Sequence, residues 1–245
     1  MDTFKPRLDI LPAAQRQLLP ELRPVQLQGY VLYGGTAIAL RLGHRQSVDF
    51  DFFSSRRVDQ DALRGALPFL KQSTVLQDSP NTFTVMTASR VKVSFFGGLD
   101  FGRAGQPQHT DDGILRVASS TDLMATKLKV ILQRSEAKDY QDIAALVRSG
   151  GRVDAGLSAA EQMFKPTFSP AESLKAMVYF EGGDMARLSA EDRRVLMEAA
   201  RNVRTLPAVV ITPDLVPPEI PMRIAPSLAK RPREDPPRQG PRMGI

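Results

Sequence analysis

The sequence predicts an α+β fold whose first half mixes strands and helices and whose second half is mainly helical, followed by a disordered tail. Short apolar and aromatic runs alternate with helical patterns before residue 119. Helical spacing of apolar residues dominates after it, and Pro and Arg crowd the end of the chain. We therefore expect a core over residues 1–118, a helical region packed on that core over 119–206, and a disordered Pro/Arg-rich tail over 207–245.

The elements of the core follow from local patterns. A helix is expected around Ala13–Leu22, before a break at Pro24. Tyr30–Tyr33 is then a short buried strand that a glycine pair ends, and Thr36–Leu42 fits a short helix. The rest of the core is predicted as strands over 48–53, 73–78, 81–88 and 90–96, with a helix over 58–70.

The helical region opens with Ser and Thr at capping positions, followed by apolar residues at helical spacing. Residues 119–150 predict one long helix or two consecutive helices, and Ser189–Val203 predicts another. Weaker helical patterns cover 158–163 and 170–180. Residues 213–245 contain nine prolines, and such a composition does not bury enough apolar surface to offset the cost of ordering the chain.

The composition narrows the classes of function. No segment approaches the roughly 18 consecutive apolar residues of a membrane span, and the start of the chain has no signal-peptide core, so we expect a cytoplasmic protein with no membrane partner. The absence of cysteine excludes disulfides, thiol nucleophiles and thiolate zinc sites, and two histidines are too few for a histidine-rich metal centre. A metal would therefore sit on carboxylates, which favours Mg²⁺ or Mn²⁺.

The net charge of +6 lies mostly near the end of the chain. Residues 201–245 hold 8 Lys and Arg against 4 Asp and Glu, and so carry four of the six excess charges. The rest of the chain is nearly neutral, which weakens the case for a wide, non-specific nucleic-acid surface.

An Asp-x-Asp pattern in the strand over 48–53 indicates a site for metal ions and phosphate. Successive side chains of a strand point to opposite faces, so Asp49 and Asp51 share one face, and Val48, Phe50 and Phe52 share the other. The two carboxylates repel each other, and a divalent cation that bridges them would relieve that repulsion. Two metals held this way can activate an attacking oxygen and neutralise a leaving pyrophosphate. Gly34 and Gly35 precede this strand and lie at the start of a helix, where free N–H groups can bind a phosphate. Together these features suit a metal-bound nucleoside triphosphate.

Two blocks of sequence, "GGTAIALRLGHRQSVDFDFF" and "DLMATKLKVILQRSEAKDYQDIAAL", resemble the nucleotidyltransferase toxins of the AbiEii/AbiGii type, in the DNA polymerase beta-like nucleotidyltransferase superfamily. The resemblance covers about residues 25–150. It implies a small mixed sheet flanked by helices, and an enzyme that uses an NTP and Mg²⁺ (or Mn²⁺) to place a nucleotide on an acceptor. It further implies a tRNA or a protein as that acceptor, a cognate antitoxin, and a role in a bacterial toxin–antitoxin or abortive-infection phage-defence system.

The resemblance, together with the residue types, gives a set of candidate site residues. The catalytic candidates, of which the first two would hold the metal, are Asp49, Asp51, and Lys127 with Asp139 or Asp142. The nucleotide-binding candidates are Gly34, Gly35, Thr36, Arg45 and Arg134.

The sequence departs from the superfamily pattern in one respect. Complete sites in that superfamily carry a third carboxylate on a later strand, but the strand over 90–96 puts Lys92 and Ser94 on the corresponding face. Either the third oxygen ligand comes from the helical block, or the site is weaker than that of a polymerase. The alternative function is therefore a non-catalytic nucleic-acid- or protein-binding module that retains the fold.

A basic stripe is predicted on the helical block. At 100° per residue, Lys127, Arg134 and Lys138 lie within about 40° of one another, which suits a triphosphate or a nucleic-acid backbone. The alternative is a solvated face whose cations pair with Glu136 and Asp139. We expect a cation of this stripe to contribute little to the stability of the fold. His44, in a loop, is expected to be a structural hydrogen-bond donor.

Overall fold

The computed structural model of the protein describes residues 2–216. Its strands, in chain order, are β1 (Thr3–Phe4), β2 (Val31–Tyr33), β3 (Asp49–Phe53), β4 (Thr74–Ser79), β5 (Thr82–Met86), β6 (Lys92–Phe96), β7 (Gln108–Thr110) and β8 (Arg116–Val117). Its α-helices are α1 (Ala13–Leu18), α2 (Arg23–Leu27), α3 (Gly34–Leu42), α4 (Gln60–Ala66), α5 (Ser120–Val130), α6 (Ala137–Arg148), α7 (Val153–Met163), α8 (Pro170–Met177) and α9 (Ala190–Asn202). Short 3₁₀ turns cover Leu8–Ile10, Leu19–Leu22, Pro68–Gln72 and Met185–Arg187.

The strands form one mixed sheet in the order β1-β7-β8-β2-β3-β6-β5-β4. Strand β3 lies near the centre, antiparallel to β2 and parallel to β6. The predicted α+β fold, with a mixed sheet, flanking helices and a helical C-terminal part, is confirmed.

The core explains the alternating sequence of β3. Phe50 and Phe52 are buried, and the ring of Phe52 stacks on that of Phe95 with 5.6 Å between the centroids. Aromatic side chains bury a large apolar area, so this packing fixes which face of β3 points inward. Asp49 and Asp51 consequently project from the other face, where they are partly exposed.

The helical region packs on the helix that follows β2. Helices α5 and α6 both contact α3, while α7 packs on α5 and α9 on α6. The predicted block over 119–150 is thus two helices, separated by residues 131–136. No helix within residues 2–216 has the length and apolar character that crossing a bilayer would require.

Two of the differences from the predicted boundaries lie near the start of the chain. Pro24 does not break the first helical segment, because it lies in the first turn of α2, where a missing backbone N–H costs nothing. The glycine pair does not precede α3 but forms its first turn. Glycine adopts the positive φ of +73° at Gly34, so the helix can start there directly from β2.

The predicted tail begins too early at residue 207, because residues 207–216 contact the body of the protein. Ser158 Oγ donates to the Pro207 carbonyl at 2.5 Å, and Arg103 and Thr212 exchange two backbone hydrogen bonds of 2.8 and 2.9 Å. Leu215 is buried, and its N–H donates to Ser55 Oγ. Backbone pairing of this kind leaves no mark on composition or periodicity, which explains the error. The remainder of the predicted tail, 217–245, lies outside the described residues.

Leu215→Ala is expected to lower the free energy of unfolding by about 2–5 kcal/mol, because truncating a buried leucine leaves a cavity. Val210→Ala in the same segment is the matched control; its side chain is 84% exposed, and little change is expected. Urea unfolding followed by circular dichroism measures both. Equal stabilities of the two variants would mean that this segment does not pack on the body.

Candidate active site

Strand β3 and the start of α3 form one side of an open cleft of about 800 Å³. Asp49 and Asp51 line this cleft, and so do Gly34 and Gly35. The pairing of β2 with β3 places Tyr33 opposite Asp51. Because Gly34 follows Tyr33 in the chain, helix α3 begins directly beside the Asp51 carboxylate.

Other groups approach closely at both glycines, and Gly34 also has a positive φ of +73°. A Cβ atom on Gly34 would lie 2.9 Å from Asp51 Oδ2, and one on Gly35 would collide with the guanidinium of Arg45. The residue before the helix, Tyr33, is extended and supplies no side-chain cap. The first N–H groups of α3 therefore have no helical partner, and an anion in the cleft can accept from them.

Thr36 belongs to the support of the cleft and does not line it. Its side chain is buried, and its hydroxyl donates to the backbone carbonyl of Asp49. It also lies 2.9 Å from Ser47 Oγ. The predicted nucleotide contact of Thr36 stays a prediction, while its side chain ties the first turn of α3 to the start of β3 and positions Asp49.

The two strand carboxylates influence each other. Burial and the charge of Asp49 raise the pKa of the Asp51 carboxyl, and Lys92 with a hydrogen bond from Ser94 lowers it in part. Lys92 Nζ lies 2.9 Å from Asp49 Oδ2, and both side chains are about one third exposed. A divalent cation would favour the ionised form of Asp51 that burial opposes.

Behind the cleft, Asp142 of α6 holds three cationic or protonatable groups. Arg45 makes a bidentate pair with it through Nε and Nη2, at 2.8 Å each. His44 Nε2 and Lys127 Nζ each lie 2.6 Å from a carboxylate oxygen of Asp142. His44 is thus the structural partner that its loop position predicts.

Asp139, one turn earlier on α6, extends this ion network. Lys127 Nζ lies 2.6 Å from Asp139 Oδ1, and Arg134 Nε lies 2.8 Å from Asp139 Oδ2. Both aspartate side chains are fully buried, whereas 46% of the Arg134 side chain is exposed. Lys127 bridges the two carboxylates and also reaches the wall of the cleft. We call these six residues, His44, Arg45, Lys127, Arg134, Asp139 and Asp142, the ion network.

The ion network keeps both buried aspartates ionised. Burial alone would raise their pKa values, but the opposing attractions win. The charge of Lys127, with hydrogen bonds from His44 and Arg45, holds the pKa of Asp142 well below its usual range. A hydrogen bond from Arg134 and the charge of Lys127 lower the pKa of Asp139. Paired, hydrogen-bonded carboxylates of this kind are stable in the interior.

The helical block therefore does not supply a third metal ligand. Asp139 and Asp142 have no exposed side-chain surface, and their oxygens are engaged by cations. Within residues 2–216 no group of three or more Asp, Glu, His or Cys residues is arranged to hold a metal ion. The catalytic role predicted for Asp139 or Asp142 stays a prediction; in the structure the two carboxylates position Lys127, Arg45 and Arg134.

The predicted basic stripe lines the cleft, but from two helices and the turn between them. Lys127, Arg134 and Lys138 all face it, although the helix is broken between the first and the last. Lys127 is not a solvated cation, because its side chain is only 7% exposed and paired twice, so we expect its removal to affect the fold as well. The expectation of a small contribution to the fold still applies to Lys138, whose exposed ammonium pairs with Glu136. Arg45 also lines the cleft, so its phosphate contact stays a prediction.

Three comparisons relate this chain to known proteins. A family model described as "Nucleotidyl transferase AbiEii toxin, Type IV TA system" matches residues 17–198. An uncharacterized protein of Aquifex aeolicus (strain VF5) is 28% identical over 177 residues, which covers 70% of this chain and 84% of that protein. The solved structure of the antibiotic-resistance factor ANT(2'')-Ia gives a TM-score of 0.45 at 13% sequence identity, covering 59% of this chain and 88% of that one.

Asp142→Asn is expected to lower the free energy of unfolding by about 3–5 kcal/mol at pH 7, because it leaves buried cations without their counter-charge. Since the folded pKa of Asp142 is depressed, its contribution is present above the unfolded value of about 3.9 and disappears as the pH falls through the folded value. Urea unfolding from about pH 7 to about pH 2 should therefore show a smaller loss of stability with acid in the variant than in the wild type.

Glu198→Gln is the control for this substitution, because it removes the same charge from an exposed pair with Arg194. We expect it to leave the free energy of unfolding almost unchanged. If Asp142→Asn had the same free energy of unfolding as the wild type, the ion network would not hold α6 on the core.

Proposed function

We propose a reaction for this chain from its family: it belongs to the AbiEii nucleotidyl transferase toxins, so its class of reaction is nucleotidyl transfer. In this proposal it moves a nucleotide from an NTP to a hydroxyl group of a tRNA or protein acceptor. Mg²⁺ or Mn²⁺ assists the transfer. We further propose that it is the toxin of a toxin–antitoxin or abortive-infection phage-defence pair and that a cognate antitoxin counteracts it. The description of the family names a type IV toxin–antitoxin system.

One observation carries the proposal: carboxylates, free helical N–H groups and cations converge on the same cleft. Asp49 and Asp51 approach from the sheet, Gly34 and Gly35 from the start of α3, and the cations from α5, α6 and the turn between them. A triphosphate bound to a divalent cation needs these three kinds of partner together. A volume of about 800 Å³ is in the range of small-molecule sites.

The donor set suits a hard divalent cation. Asp49 and Asp51 present carboxylate oxygens on one face of β3, and the raised pKa of Asp51 reflects in part the repulsion that such a cation relieves. These two residues would hold the cation, and the substrate phosphates would complete its coordination. When bound, the cation supplies charge neutralisation at the reacting phosphate.

The other residues of the cleft bind and orient the phosphates. The N–H groups of Gly34 and Gly35 donate to phosphate oxygens, assisted by the dipole of α3. Lys127 and Arg134, already fixed by buried carboxylates, neutralise the negative charge that develops on the leaving group. The acceptor oxygen bonds to the α-phosphorus, the bond from that phosphorus to pyrophosphate breaks, and the hydroxyl proton passes to water.

The direct experiment offers the purified protein each α-³²P-labelled NTP in turn, with Mg²⁺ and either total RNA or RNA-free lysate. Labelled RNA of tRNA length would identify a tRNA acceptor, and labelled protein a protein acceptor. Pyrophosphate release measures turnover in the same tubes. No labelled product and no pyrophosphate with any of the NTPs would overturn the proposal.

Asp49→Asn and Asp51→Asn are each expected to reduce the transfer rate by about 10²-fold or more, a barrier increase of about 2.7 kcal/mol. Asn keeps the shape of Asp and loses its charge, so the fold should survive. The free energy of unfolding of metal-free Asp51→Asn should rise slightly, because burial disfavours the ionised carboxyl of the wild type. Transfer assays and urea unfolding measure the two effects.

Asp78→Asn is the control for both variants, because Asp78 lies on β4 of the same sheet, is exposed and hydrogen-bonds Gln60 outside the cleft. Its transfer rate should match the wild type. If the variants of Asp49 and Asp51 did so as well, the strand carboxylates would not be the metal site.

Arg134→Gln is expected to raise the KM for NTP by about ten-fold, the loss of one charge-assisted contact to phosphate. Arg148→Gln is the matched control: the two arginine side chains are 46% and 42% exposed, and each pairs with an aspartate. Arg134 lines the cleft and Arg148 does not. Steady-state kinetics should therefore separate the variants; equal KM values would place Arg134 outside the phosphate site.

A further inference from the structure

The strand next to the two carboxylates presents a lysine to the cleft. Strands β3 and β6 run parallel, with Lys92 beside Asp49 and Ser94 beside Asp51. Neighbouring residues in this register lie on the same face of the sheet. Lys92 Nζ is 2.9 Å from Asp49 Oδ2, so an ammonium already occupies one side of that carboxylate.

The same face offers no further carboxylate beyond β6. On β5, Met86 lies beside Lys92 and Thr84 beside Ser94; on β4, Gln77 lies beside Thr84. Ser94, Thr84 and Gln77 also line the cleft, as neutral hydrogen-bonding groups. From the helical side, Asp139 and Asp142 are fully buried and paired. Within residues 2–216, Asp49 and Asp51 are thus the carboxylates that the cleft offers to cations.

We propose that this cleft holds one divalent cation instead of two, and that the ammonium of Lys92 takes the position beside Asp49 that a second cation would need. This inference rests on the proposed function for the identity of the substrate, but the number of cations follows from the protein's own side chains. It differs from the arrangement of two metals on Asp49 and Asp51 that the sequence pattern also allows.

Charge balance favours a single cation in the nucleotide-free cleft. The two carboxylates and one ammonium sum to one negative charge, and one divalent cation changes that sum to one positive charge. A second divalent cation would bring two dications and an ammonium against two carboxylates in a partly buried site. Like charges at such short range repel strongly where solvent screening is reduced.

Lys92 can also replace the second cation toward the substrate. It lines the cleft, 37% of its side chain is exposed, and a lysine ammonium has three N–H donors, of which Asp49 engages one. The remaining donors are free to contact a phosphate oxygen of the NTP. A fixed ammonium beside the carboxylates would thus share the neutralisation of the triphosphate with the bound cation.

The test counts bound Mn²⁺ in the full-length, nucleotide-free protein by electron paramagnetic resonance, which reports free Mn²⁺ during a titration. The wild type should bind one Mn²⁺ per chain. Lys92→Asp should bind two, because it supplies the missing third carboxylate. Lys138→Asp is the matched control: it makes the same charge change at a cleft lysine that pairs with Glu136 and not with Asp49, and it should still bind one.

A second variant covers the case in which three adjacent carboxylates unfold the protein. Lys92→Met keeps a long side chain and removes the charge, and it should still bind one Mn²⁺, about ten-fold more tightly, because the ammonium no longer competes for Asp49. An unchanged or weakened affinity in Lys92→Met would overturn the proposal. So would a wild-type protein that binds two Mn²⁺ ions, or none.

The result is independent of the transfer assay. Two Mn²⁺ per wild-type chain, with transfer lost in Asp49→Asn, would overturn the single-cation site and leave the nucleotidyltransferase proposal standing. One Mn²⁺ per chain with no transfer to any acceptor would support the single-cation site and overturn the proposed reaction.

Discussion

The arrangement of the cleft depends on the buried pairing of Asp142 with Arg45, His44 and Lys127. These groups come from a loop after α3, from α5 and from α6, three parts of the chain that meet only in the folded protein. A carboxylate removed from water is tolerated only when it is paired and hydrogen-bonded, so α6 can dock on the core only when the loop and α5 are in place. The ion network therefore couples the packing of the helical region to the geometry of the cleft.

This coupling also sets the electrostatics of the site. The sheet side of the cleft carries Asp49 and Asp51, whereas the helical side presents Lys127 and Arg134. Because Asp139 and Asp142 hold these cations from behind, the cations are already oriented when an anion arrives, and little reorganisation is needed. A ligand with a cation at one end and negative charge at the other matches this polarity, as a metal-bound triphosphate does.

The part of the site that lies within one strand could be predicted from the sequence, because alternation along β3 is a local rule that places Asp49 and Asp51 opposite the buried phenylalanines. The role of Asp142 could not. Its spacing from Asp139 puts both on one face of α6, but no local pattern reveals that this face meets the loop containing His44 and Arg45. The same limit applies to the fold: the strands and helices have periods, whereas the backbone pairing of residues 207–216 has none.

Strand β3 also explains how a site that opposes folding can persist in a stable protein. The raised pKa of Asp51 means that burial disfavours its ionised form, so this carboxylate weakens the folded state near neutral pH. The residues on the other face compensate, because Phe50 and Phe52 are buried against neighbouring aromatic rings. Since the two faces of one strand face different surroundings, the chemistry of the aspartates can change while the packing of the phenylalanines is retained. The cost of the carboxylates is therefore local, and the cation that we propose at this site would relieve it and link the stability of this strand to occupancy of the cleft.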